Sequence, residues 1–185
     1  MDKLNMEDYY FHGLAGNISF WNTEEIIKVS LWQLSSIVNT GGIYSRQILK
    51  NKFNMEYPYK GYLFNGEDYI SVCIKNEQEE EYRGDFYDSN SSFSTYVKYK
   101  IALVIEPDCI KERLRRELYR HLPGERHILE YIPLSSIKAV VIGFPLTLDS
   151  CLTNQIESIL GDIPIIDING NILNYQNKTF LKLYK

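Results

Sequence analysis

A chain of 185 residues, 44% of them apolar and 24% charged, has the composition of a folded domain and not of a disordered segment. Its net charge of −4 and pI near 5.5 argue against a broad duplex-DNA surface, which needs clustered Lys and Arg to displace phosphate counterions. Cys73, Cys109 and Cys151 are far apart and form no CxxC pair, so neither a zinc knuckle nor a disulfide framework is indicated.

The amino terminus has no apolar leader, and no run approaches the roughly 18 apolar residues of a membrane span. A cytoplasmic protein without a membrane partner is expected, although a specialised secretion system would leave no mark in such a sequence. The 15 Tyr and 8 Phe suit half-buried strands and sites for planar ligands. An AT-rich codon bias accounts for the same excess.

In chain order, the first element is an aromatic strand, Tyr9 to Leu14. Helical spacing of Ile26, Ile27, Leu31, Leu34, Ile37 and Val38 follows, with capping-box spacing at Asn22/Glu25 and again at Ser30/Gln33. That pattern predicts two helical segments or one kinked helix, stopped by Gly41-Gly42. Ile43 to Arg46 reads as a short strand or turn leading into a lysine-rich loop. Asn65-Gly66 marks a turn, and Tyr69 to Ile74 a strand. The acidic stretch from Glu77 opens a polar loop to about Ser94, expected to be mobile and to lie beside a site.

Tyr96 to Ile105 predicts a long strand, and Pro107-Asp108 the start of a charged helix to about His121. The strip Lys111 to Arg120 carries four arginines, which reads either as a local basic patch or as a solvated helix face. Strands at His127–Ile132 and Ile137–Phe144, a helix from Thr147 to Leu160, and a hairpin around Asn169-Gly170 complete the pattern. Strands outnumber helices and do not alternate strictly with them, so the fold class is α+β, in a single domain over residues 1–185.

Neither a GxGxxG nor a Walker loop is present, and there is no GxSxG elbow or HExxH pair. Three histidines without helical partners give no metal cluster. An ordered set remains: His12-Gly13 on a strand, a helix ending Leu34-x-x-Ile37-Val38-x-x-Gly41-Gly42, Tyr44-Ser45-Arg46, the strand Tyr69-Ile70-Ser71, and Gly124-Glu125-Arg126 before another strand. This order resembles the His-Tyr-Glu branch of the ADP-ribosyltransferases, which includes diphtheria toxin and the poly(ADP-ribose) polymerases. It looks closer still to the bacterial DarT-like group.

The resemblance covers about residues 9 to 143. It implies split antiparallel sheets with flanking helices, NAD as substrate, and transfer of ADP-ribose to a protein or an exposed nucleic-acid segment, or simple NAD hydrolysis. In that reading Glu125 stabilises the positive charge that builds on the ribose as the nicotinamide bond breaks. His12 bonds a ribose hydroxyl and the Gly13 backbone grips the nicotinamide amide. Tyr69 stacks on the nicotinamide, Ser71 bonds a carboxylate or ribose hydroxyl, and Arg46 pairs with the pyrophosphate.

Each also has an ordinary reading: a solvated strand-start Glu, a partly buried His, a packed strand Tyr, an edge Ser, a surface Arg. Leu14 stands where the family has a hydroxyl, and Arg46 matches only loosely. These departures leave open a non-catalytic binding or immunity module with the same fold.

Overall fold

In a computed structural model the chain is described at residues 4–15, 22–58, 69–74, 97, 100–109, 114–115, 125–128, 131–143, 146–148 and 150–173. The acidic stretch 77–94, the Asn65-Gly66 turn, Glu130 and most of the strip 111–120 lie outside these residues.

The elements are β1 (Tyr10–Gly13), α1 (Thr23–Thr40), β2 (Gly42–Tyr44), α2 (Arg46–Phe53), β3 (Ile70–Ile74), β4 (Ile101–Ile105), β5 (Leu114–Arg115), β6 (Glu125–Ile128), β7 (Tyr131–Pro133), β8 (Ile137–Ile142), α3 (Ser150–Leu160) and β9 (Ile165–Asp167). They are mixed α and β, as the pattern requires. Seven strands form one sheet in the order β5-β6-β3-β1-β4-β8-β9, and β2 pairs with β7 in a second sheet. All pairings are antiparallel except β8 with β9, which α3 connects as a crossover.

Apolar runs at Ile101–Ile105 and Ala139–Ile142 suit strands inside the sheet, where both faces are covered. Alternation then sorts the side chains. Leu103, Ile105, Val140, Ile142, Ile70, Val72 and Ile128 share one cluster with Ile26, Leu34 and Ile37 of α1 and Leu152 and Ile156 of α3. Phe11, Cys73, Ala102, Val104, Ala139 and Val141 form a second cluster with Met6 and Ile166. The sheet therefore has a face packed by α1 and α3 and another packed in part by the amino-terminal segment.

Asn22 caps α1, its side chain accepting from the Glu25 N–H at 3.2 Å, and Gly41 ends it in the left-handed region at φ 77°. Between them the helix is continuous. Ser30 is buried mid-helix and its hydroxyl finds no partner among the described residues, so the Ser30/Gln33 spacing is not a second cap.

Three more expectations are corrected. The segment after Tyr44 is a helix, because Ser45 supplies an N-cap through its hydroxyl to the Ile48 N–H. Where a charged helix is expected from Pro107, the described residues form a 3-10 turn, Pro107–Cys109, and a strand, Leu114–Arg115, paired with β6. The apolar run His127–Ile132 is divided between two sheets, β6 belonging to the large one and β7 to the small one. Alternation alone cannot reveal a strand that changes partners.

Gly42 marks the tightest approach in the small sheet. A Cβ there would lie 2.5 Å from the Ile132 carbonyl oxygen and 3.3 Å from the Pro133 Cα, both backbone atoms that cannot swing aside. Gly42→Ala is expected to cost ~2 kcal/mol or more by overpacking. That corresponds to a melting temperature lower by roughly 5 °C in a chain this size. A melting temperature within a degree of wild type would show that β2 and β7 do not pair this closely.

Candidate functional site

His12 lies on β1 between Phe11, buried on the second face, and Gly13. Its register partner is Leu103, and it shares with Tyr10 the face packed by α1 and α3. Nδ1 sits 2.8 Å from the Ser71 carbonyl oxygen. A carbonyl can only accept, so Nδ1 carries the proton and donates, and the neutral ring presents Nε2 as an acceptor. Burial pulls the His12 pKa below the usual histidine value, and the Ser71 bond only partly opposes it. The ring is therefore neutral at pH 7. Among the described residues no further hydrogen bond of the ring is seen.

The chain leaves β1 through a fixed turn. The Leu14 N–H donates to the Ile101 carbonyl at 2.8 Å, and the Leu14 side chain is fully buried in the first cluster. Leu14 is thus a core position. Ala15 is also fully buried and takes φ 52°, a left-handed value that alanine rarely adopts.

Ser71 and Tyr69 belong to β3 and its entry. Ser71 is the register partner of His127, and the Tyr69 ring stacks on the His127 ring with centroids 3.8 Å apart and planes 20° from parallel. One face of Tyr69 is thereby covered by a histidine of its own chain. Ser71 meets His12 through its backbone oxygen. Along β3, Ile70 and Val72 lie in the first cluster and Cys73 in the second, so positions 69 and 71 alternate onto the face opposite His12.

Glu125 opens β6, and the register places it opposite Cys73. It is in phase with His127 and out of phase with Arg126 and Ile128, of which Ile128 belongs to the first cluster. The backbone thus does not align position 125 with His12.

Arg46 lies elsewhere. It begins α2, beside the two-stranded sheet, and its guanidinium sits over the Tyr57 ring, 4.1 Å from the centroid. Trp32 meets Tyr57 edge-on at 5.4 Å, while Tyr44 stacks on Tyr131 at 5.4 Å and packs on Phe53 at 5.0 Å. Burial raises the Tyr57 pKa, and Arg46 opposes that shift by charge and hydrogen bond.

Sequence reasoning missed two polar contributors at the turn that follows β1. Lys100 is 3% exposed, and its Nζ donates to the Ala15 carbonyl at 3.2 Å. Gln33 reaches from α1, its Oε1 accepting from the Ala15 N–H at 2.7 Å. The available signal for Lys100 was a lysine directly ahead of five buried apolar residues. Gln33 was absorbed into a cap that does not exist.

Among the described residues no group of His, Cys, Asp and Glu could hold a metal ion, and no helix is long and apolar enough to cross a membrane. In comparisons with known proteins, no family model, no curated protein and no solved structure matches the chain.

Proposed function

We propose that this chain binds NAD at the end of β1 and cleaves the nicotinamide–ribose bond, as an ADP-ribosyltransferase-like protein acting in the cytoplasm. The observation that carries the reading is the His12-Gly13 pair. A histidine held neutral, with its tautomer set by the Ser71 carbonyl, offers one acceptor beside a residue without a side chain. Such an arrangement suits a ribose hydroxyl and a carboxamide. The division of the strands into a large and a small sheet agrees with the split-sheet fold the sequence resemblance implies. A protein or an exposed nucleic-acid segment is the acceptor; with net charge −4, duplex DNA is disfavoured.

A second reading is a binding or immunity module that holds the ligand without reacting it. It is favoured by the register of position 125, which is out of phase with His12, and by the stacking of Tyr69 on His127.

Thermal denaturation with millimolar NAD separates both readings from neither. NAD should raise the melting temperature, since a ligand selective for the folded state stabilises it by mass action. Nicotinamide release from NAD then decides between them. Release supports the enzyme, and binding without release supports the module. A folded protein whose melting point ignores both NAD and nicotinamide would overturn the NAD reading.

A further inference from the structure

Ala15 and Asn54 are the non-glycine residues with positive φ among those described. Asn54 closes α2 as its C-cap, a place where asparagine is at home. Ala15 caps nothing and is fully buried. Left-handed backbone in an ordinary residue persists only where the surroundings over-determine it, and such residues gather at ligand sites.

The surroundings here are two long side chains from distant parts of the sequence. Gln33 holds the Ala15 N–H from α1, and Lys100 holds its carbonyl from the entry of β4. Lys100 is itself anchored by its backbone, its N–H donating to the Val97 carbonyl at 3.3 Å and its carbonyl accepting from the Gly143 N–H at 2.7 Å. An ammonium at 3% exposure is costly to bury, and one of the groups that receives it is the Ala15 carbonyl. The peptide so held lies two residues past Gly13, in the turn that fixes how β1 ends.

We propose that Lys100 and Gln33 are positioning residues that clamp Ala15 in its left-handed conformation and thereby set the backbone at His12-Gly13 for its ligand. That the ligand is NAD rests on the functional reading above; the clamp does not.

The test exploits what glycine does. Glycine adopts positive φ without penalty, so in Ala15→Gly the clamp has nothing left to enforce. Amide hydrogen exchange at residues 13–15 and NAD affinity are measured for wild type, Lys100→Met, Gln33→Met, Ala15→Gly and the Ala15→Gly/Lys100→Met double variant. Lys100→Met should speed exchange at these amides about tenfold and weaken NAD about tenfold. In the Ala15→Gly background the same change should cost threefold or less. Gln33→Met, which removes no buried charge, should reproduce the loss if Lys100→Met folds poorly.

Equal losses in both backgrounds would overturn the clamp, because Lys100 would then act through packing and not through Ala15. Unchanged exchange in both single variants would overturn it as well. If wild type binds no NAD, the functional reading falls, and the exchange cycle still decides the clamp.

Discussion

On the enzyme reading, Glu125→Gln should lower the rate of nicotinamide release at least a hundredfold and leave NAD affinity within about threefold of wild type. Replacing a carboxylate by its isosteric amide keeps shape and removes charge. Loss of one electrostatic contact that matters only in the transition state costs rate by about that factor. The melting temperature should move by the equivalent of ~1 kcal/mol or less, as for most substitutions without a packing change. His12→Ala should do the reverse, weakening NAD itself, because its acceptor serves the bound ligand. β6 begins two residues before its pairing with β5, at Arg115 opposite His127, so position 125 stands at a rim of the sheet. Glu130→Gln should change neither quantity strongly. If Glu125→Gln releases nicotinamide at the wild-type rate, the carboxylate has no catalytic part. An essential Glu130 beside a dispensable Glu125 would show that the sequence match is out of register, and the role of His12 would fall with it.

The sheet and the first helix were legible in the sequence because their signals are local. Asn22 three residues before Glu25, apolar residues at helical spacing and glycine at the end define α1 without reference to the rest of the chain. Of the long strand expected from Tyr96 to Ile105, the apolar end Ile101–Ile105 is a strand buried along its length, while Val97 and Lys100 lie outside it. What the sequence hid depends on partners. Leu114–Arg115 has a helix-like charge pattern around it yet pairs with Ile128 and His127. The run from His127 to Ile132 looks continuous, but its two ends join different sheets. Ile43 to Arg46 suits a short strand or turn before a loop, and only the Ser45 hydroxyl bond to the Ile48 N–H shows that a helix starts there.

The candidate site was legible in composition more than in arrangement. His12 and Ser71 do meet, but through the Ser71 backbone, which no residue-type argument could have chosen. Tyr69 is expected to stack on the nicotinamide, and in the fold its ring stacks on His127 of its own chain. Arg46 was assigned to a pyrophosphate for its fork of donors, and in the fold its flat face lies on Tyr57. Each residue type was matched to a ligand, and in two cases another side chain of the protein satisfies the same chemistry.

Raising the pH from 7.5 to 10 should stabilise wild type relative to Lys100→Met by ~2–3 kcal/mol. Burial takes the Lys100 ammonium out of water and pulls its pKa from 10.5 to about 8. Below pH 8 the folded and unfolded chains both carry the proton, and the cost of burying the charge is fully present. Between about 8 and 10.5 the folded protein gives the proton up while the unfolded chain keeps it. The unfolded state then binds more protons, so the unfolding free energy rises with pH. Each unit of displacement is worth about 1.4 kcal/mol, which sets the size of the gain. Tyrosines and surface lysines titrate over the same range, but they are common to both proteins and cancel in the difference. Urea denaturation of the pair at the two pH values measures it directly. A difference that stays flat from pH 7.5 to 10 would mean that Lys100 keeps an ordinary pKa in the folded protein, and so that its amine is not as desolvated as its burial requires.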